Sequence, residues 1–307
     1  MRTARLRRAG ARVATLFASL FIALTMAFAL GRLSGDPTAN ILGPTAPPEQ
    51  REALRQQLGL DRSLIVQYLD YLRGVFTGDL GESLQFYQAN TTMIFDRVPY
   101  TLQLVGAGMA IAVIVGIPLG VLAATREGTW WDRAASTLAL LGQSVPVFWL
   151  GMMLVVLFAV KLGWLPAGQS GSPRHLVLPG VTMSLYPMAH IARLTRASMS
   201  EALAEPFVDS ARARGIGPVR VVWRHAFKNA LMPVLTIVVL QTGILLSGAV
   251  AIEYVYSWPG LGQLALQAVQ FRDFPLVQAI VVFGAVVFVC LNLIVDVIHS
   301  VVDPRVR

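Results

Sequence analysis

Charge is scarce in this chain. Only 14% of its 307 residues are Asp, Glu, Lys or Arg, where a soluble domain carries about 25%. Lysine is almost missing: Lys161 and Lys228 are the only two. Neither follows a glycine-rich loop, and no GxxxxGK[ST] stretch exists, so the chain lacks the usual cradle for nucleotide phosphates. Cysteine is reduced to Cys290, inside an apolar run. A lone cysteine excludes an intrachain disulfide and a cysteine metal cluster, and reads as a small core residue. The four histidines, His175, His190, His225 and His299, form no HExxH pattern. Ser144 and Ser184 stand outside any GxSxG elbow, so a serine nucleophile with His190 has no motif behind it. No selectivity-filter-like stretch suggests a channel.

What is abundant is apolar sequence, 55% of residues, gathered in long runs. The chain therefore reads as an all-α polytopic membrane protein. The first run, 13–31, follows the basic start Arg2, Arg5, Arg7, Arg8 and Arg12. It is longer than a signal-peptide core of about 7–15 residues, so it is read as a retained span despite a cleavage-like Ala27-Phe28-Ala29. Five more candidate spans follow at 98–124, 134–160, 175–192, 229–252 and 277–298. Pro146, Pro179 and Pro187 fall inside spans, where neighbouring helices can satisfy the freed backbone groups. Gly116 and Gly120 form a GxxxG pair, a spacing that admits a close helix contact. The 32–97 stretch is too patterned for a linker. Pro48–Leu58 reads as a short helix, and Ile65, Tyr68, Leu69, Leu72 and Phe76 share one face of another. A small helical cap is expected there.

The net charge of +8 is read as topology rather than nucleic-acid affinity. Six spans put both termini on one side. That side, with the 125–133 and 193–228 loops, collects 16 of the Lys and Arg residues, against 9 opposite. Both termini are expected in the cytoplasm and the 32–97 cap outside. The chain is thus divided into a basic tail (1–12), a first span (13–31), an extracytoplasmic segment (32–97), a five-helix core with a cytoplasmic loop at 193–228 (98–298) and a C-terminal tail (299–307).

That loop holds "FVDSARARGIGPVRVVWRHAFKNALMP", from Phe207 to Pro233. Pro206 suits a first helical position, Gly215 a left-handed helix stop, and Gly217-Pro218 a second start. A helix–turn–helix is expected on the cytosolic surface. A lipid-held interfacial helix would explain its arginines, and a plain connector needs only about 2–8 residues. Neither explains the small series Ala211, Ala213, Gly215, which is read as a close-approach surface for another protein, with Ala211 facing that partner.

These residues resemble a known family. "DSARARG" is similar to the cytoplasmic EAA loop of bacterial ABC importer permeases, with Asp209, Ser210 and Ala211 at the Glu-Ala-Ala positions and Gly215 at the loop glycine. The first two positions depart from Glu-Ala, and Pro233 lies further along than the general pattern places it. Both departures resemble the dipeptide and oligopeptide permease branch. So do "LGLDRSLIVQYLDYLRGVFTGDLGESL", "RVPYTLQL", "SVPVFWLG", "SWPGLG" and the terminal "DPRVR", which together look like the first permease subunit of such a system over nearly the whole chain. The resemblance implies the type I importer permease fold, with two ATP-binding subunits, a second homologous permease subunit and an extracytoplasmic substrate-binding protein as partners. It implies that the chain binds no cofactor, ATP and Mg being used by the ATPase subunits. It implies that Asp209, Ser210, Ala211, Arg212, Ala213, Arg214, Gly215 and Arg220 couple to those subunits.

The second, third and fifth spans contain no Asp, Glu, Lys, Arg or His, which suits a permissive path and disfavours an ion-coupled carrier. Asp296, near the end of the sixth, is read as a helix-end partner of Arg305 or Arg307. The expected solute is a di- or oligopeptide, with nickel, glutathione or another small solute as the alternative. Ahead of the sixth span, Tyr256, Ser257, Trp258, Pro259, Gly260 and Leu261 are expected to approach the binding protein, the alternative being a packed turn at the outer gate.

Overall fold

In the computed structural model the described residues are 18–302, apart from 30, 33–37, 39–41, 44, 45 and 58. The basic start, the first residues of the first span, the C-terminal tail and the expected Asp296 pairings with Arg305 or Arg307 lie outside the described residues. The elements among the described residues are almost entirely helical: α1 (Ala18–Ala29), α2 (Pro48–Gln57), α3 (Leu64–Thr77), α4 (Asn90–Thr125), α5 (Trp130–Ser144), α6 (Val147–Leu154, continuing as a π-helix over Val155–Lys161), α7 (Val177–Leu203), α8 (Pro206–Ala213), α9 (Pro218–Val255), α10 (Leu261–Gln270) and α11 (Phe274–Val302). An isolated antiparallel bridge joins Glu82 to Ala89. The second, fourth, fifth and sixth expected spans each fall on a helix, whereas the third, expected as one span over 134–160, is broken at Ser144–Pro146 into α5 and α6. Two of these helices, α4 and α9, are long and apolar enough to cross a membrane.

The chain divides into two compact units, residues 1–98 with 264–292 and residues 99–263 with 293–307. The first contains the expected cap. Its α2 and α3 are the two helices anticipated from the 32–97 pattern. Of the shared apolar face on α3, Tyr68 packs on Phe28, with ring centroids 5.1 Å apart, while Ile65, Leu69 and Phe76 stand exposed. Asp273, buried just before α11, accepts bonds from the Ser83 hydroxyl, from the Leu84 and Gln85 amides at 3.2 Å each, and from Leu276 N at 3.3 Å. One carboxylate therefore begins a helix and clamps a turn 190 positions away.

In the second unit, α4 and α7 meet along small residues. A methyl group on Gly120 would lie 2.5 Å from Ala192 O, and one on Gly116 would lie 2.9 Å from Met188 O. The GxxxG pair thus lets two backbones approach, as its spacing suggested. A core of Leu104, Val105, Met109, Leu178, Ile191 and Val234 fills the interior between α4, α7 and α9. Helix α7 runs through this interior. Fourteen of its residues are buried, which accounts for its polar share: Thr182 and Ser184 return their hydroxyls to Leu178 O and Val181 O.

Candidate functional site: a hairpin and a knotted turn on one long helix

The hairpin is built by local chemistry. Glu205 is extended, Pro206 occupies the first turn of α8, and Gly215 has φ +73°. Gly215 N donates to Arg212 O at 2.9 Å and Ile216 N to Ala211 O at 3.2 Å. This pair of bonds is a Schellman closure, which satisfies the last carbonyls of a helix and requires a left-handed residue after it. Ile216 completes the closure by packing on Val208, Ala211 and Val221. Gly217 then caps α9, with Pro218 in its first turn.

The burial pattern sorts the expected site residues. Asp209, Ser210, Arg212, Ala213, Arg214, Gly215 and Arg220 are exposed. Val219 (72% exposed) and Trp223 (46%) join them on the surface. Ala211 does not. It is 6% exposed, inside the miniature core between the two arms. The expectation that Ala211 faces a partner is corrected: its small side chain lets the second arm close onto the first. Arg212 meets Asp209 at 3.4 Å, but both side chains are largely exposed, so this pair adds little stability.

The hairpin base is anchored. Val121 and Ala124 of α4, Met199 and Ala202 of α7, and Ala226 and Ala230 of α9 form one buried cluster. Beside it stands an ion pair that sequence reading missed. Arg196 Nη2 donates to Asp132 Oδ2 at 2.9 Å, and Nε faces Oδ1 at 2.6 Å. Asp132 is buried and also accepts from Gly128 N at 3.1 Å. The acid precedes the third span and the arginine follows the fourth, so no local spacing signals the pair.

The other end of α9 carries a second constellation. Helix α9 has 38 residues, so its ends are about 57 Å apart. At its end Glu253 is fully buried. Its Oε1 accepts from Thr101 Oγ1 at 2.6 Å, and its Oε2 from Gln263 N at 3.0 Å. Thr101 Oγ1 accepts in turn from Leu261 N at 2.9 Å, and Trp258 N donates to Glu253 O at 2.8 Å. A methyl group on Gly260 would collide with the Glu253 carboxylate, which explains why a glycine stands there in "SWPGLG". Tyr256 and Trp258 are 1% and 2% exposed. The Tyr256 hydroxyl is 2.8 Å from Thr182 Oγ1 and 3.2 Å from Gly151 O, and Trp258 Nε1 donates to Tyr100 O at 2.9 Å.

Within the expected binding-protein contact over Tyr256–Leu261, the residues differ in exposure. Tyr256, Trp258 and Gly260 are buried and Pro259 and Leu261 partly so, leaving Ser257 exposed at φ +48°. These bonds pack the turn into a knot. Sequence reading ended the fifth span at Ile252 and so passed over Glu253, the residue that organises it. Elsewhere the serine and histidine candidates are spent locally: Ser184 on Val181 O, and His190 on Tyr186 O at 3.0 Å.

The family of binding-protein-dependent transport system inner membrane components matches residues 116–307, and its N-terminal companion matches residues 1–105. The chain belongs to this family. It is thereby a multi-pass component of the inner membrane. It is 38% identical to the dipeptide transport system permease protein DppB of Alkalihalophilus pseudofirmus, over 90% of this chain and 91% of that one. It is 39% identical to the glutathione transport system permease protein GsiC of Escherichia coli K12, over 96% and 97%. Among solved structures, an inward-facing form of the methionine ABC transporter MetNI superposes with a TM-score of 0.59 at 19% identity, covering 69% of this chain and 96% of that one. An amino acid ABC transporter superposes at 0.55 and 15%, covering 68% and 94%. The fold is that of an ABC importer permease, and the chain is a permease component.

Proposed function

We propose that this chain is one permease subunit of an ATP-driven importer and forms half of a pathway for di- or oligopeptides. The hairpin carries the reading. It is closed by its own Schellman bonds and core, anchored to α4 and α7, and exposes Asp209, Arg212, Arg214, Arg220, Val219 and Trp223. A rigid, self-satisfied protrusion of this kind suits a cleft in an ATP-binding subunit, where the ATP and Mg chemistry resides. Helix α9, π-helical over Val221–Ala226, joins the hairpin to the Glu253 knot, so a push at one end is delivered at the other. A second homologous permease and a substrate-binding protein complete the machine. Both termini lie in the cytoplasm.

The relatives named for dipeptide and glutathione transport support a peptide-like solute, and glutathione is itself a small peptide. The test is uptake of a labelled dipeptide and of labelled glutathione, with co-purification of ATP-binding subunits. Uptake that fails without ATP and survives a collapsed proton gradient is expected. Uptake that follows the proton gradient overturns the reading in favour of an ion-coupled carrier. For topology, a cysteine at Gln85 should label from outside, and one at Arg220 only after permeabilisation, in a Cys290→Ser background.

A further inference from the structure

Helix α3 carries an apolar face that the fold leaves open. Ile65 is 74% exposed, Leu69 58% and Phe76 78%. They recur at helical spacing, so one stripe runs along the 14 residues of the helix. The other sides of α3 are engaged differently. Gln67 is buried and donates its Nε2 to Leu60 O at 3.2 Å and Arg62 O at 2.7 Å. Asp70, on the polar side, meets Arg62 at 3.2 Å. Single apolar residues are ordinary on a surface, but a contiguous stripe marks a face that something covers.

The helix is tied to a membrane span, and the tie identifies the cover. The Tyr68 hydroxyl is 2.7 Å from Thr25 Oγ1, and the Tyr68 ring meets Phe28 edge-on at 5.1 Å. Thr25 lies about one turn, roughly 6 Å along the axis, before Ala29, where α1 ends. The bond is made on the exposed side of α1, where Phe21, Ile22 and Met26 are each more than half exposed, as the lipid side of a span requires. On α3, Tyr68 shares a face with Ile65, three positions before it, and stands next to Leu69. The apolar surface of α1 therefore continues onto the stripe. Tyr68 and Tyr71 stack there with centroids 6.4 Å apart, and tyrosines gather at the level where hydrocarbon gives way to headgroups. A soluble partner would need the stripe to stand clear of the bilayer, whereas the tie to Thr25 holds it at the bilayer's edge. We infer that α3 is an interfacial helix, whose stripe of Ile65, Leu69 and Phe76 enters the outer leaflet at the boundary of acyl chains and headgroups while Asp70 faces water. The choice of leaflet rests on the proposed outward placement of the cap.

The permease complex, purified with its partners and placed in nanodiscs of phosphatidylethanolamine and phosphatidylglycerol, provides the test. Ile65→Cys, Leu69→Cys, Phe76→Cys and Asp70→Cys, made singly in a Cys290→Ser background, each carry a fluorescent label. All four positions are exposed, so the substitutions leave the packed side of α3 intact. Phospholipid brominated on its acyl chains should quench most of the fluorescence at Ile65→Cys, Leu69→Cys and Phe76→Cys, and aqueous iodide little of it. Asp70→Cys should show the reverse. Iodide quenching of all four alike overturns the inference. So does shielding of the stripe that develops only when a peptide-loaded binding protein is added, since the cover is then a protein. The topology is read separately: a cysteine at Gln85 that labels in cells only after permeabilisation overturns the outer leaflet, whatever the quenching.

Discussion

Gly215 offers a test in which a single physical quantity changes. Its φ is +73°, and a methyl group built on it would meet nothing within 4 Å. Substitution therefore introduces no clash. The cost is the backbone's alone, about 1–2 kcal/mol for a residue with a Cβ in the left-handed region. Asn tolerates that region better than Ala, and a β-branched Val tolerates it worst. The order of destabilisation should be Asn, then Ala, then Val. The two Schellman donors, Gly215 N and Ile216 N, report the opening directly. At about 1.4 kcal/mol per tenfold, their hydrogen exchange should speed up about fivefold to thirtyfold in Gly215→Ala and more in Gly215→Val. In cells, Gly215→Val should abolish uptake while the permease still inserts and pairs. Ala211→Trp should do the same by a different route: it overfills the core with Val208 and Val221, at a cost of about 1–3 kcal/mol. Equal protection across Asn, Ala and Val would refute the backbone account. Intact transport in both Gly215→Val and Ala211→Trp would refute the coupling role.

Gly120→Leu should separate α4 from α7, because the nearest atom to its Cβ is backbone, Ala192 O at 2.5 Å; a loss of about 3 kcal/mol or more against the unsubstituted protein in detergent unfolding tests this, and unchanged stability would refute it. Arg196→Ala should cost about 2 kcal/mol, between the values for exposed and buried pairs. Asp132→Asn should recover most of that loss, and a double-mutant cycle without coupling would sink the pair. Gly260→Ala should open the knot, seen as labelling of a cysteine at Trp258 in a Cys290→Ser background; continued protection would show that the glycine is dispensable. Thr101→Val should have a milder effect of the same kind, since it removes one of the bonds to Glu253.

The parts of this protein visible in its sequence are those whose causes are local. Apolar runs of span length, the helix starts at Pro206 and Pro218 and the stop at Gly215 follow from the conformational limits of single residues and their near neighbours. The six short motifs marked the family for the same reason, each being contiguous. What the tertiary structure decided involves partners far apart in the chain: Glu253 with Thr101, Arg196 with Asp132, and Asp273 with Ser83. It also decided direction. A small residue such as Ala211 suits a tight contact, but sequence cannot say whether the contact is with another protein or with the hairpin's own second arm. In a membrane chain this ambiguity is widespread, because lipid-facing and core-facing surfaces are both apolar. Periodicity shows that a face is apolar; the fold alone decides what covers it, as it buried Tyr256 and Trp258 in a knot and left Ile65 and Phe76 of the cap exposed.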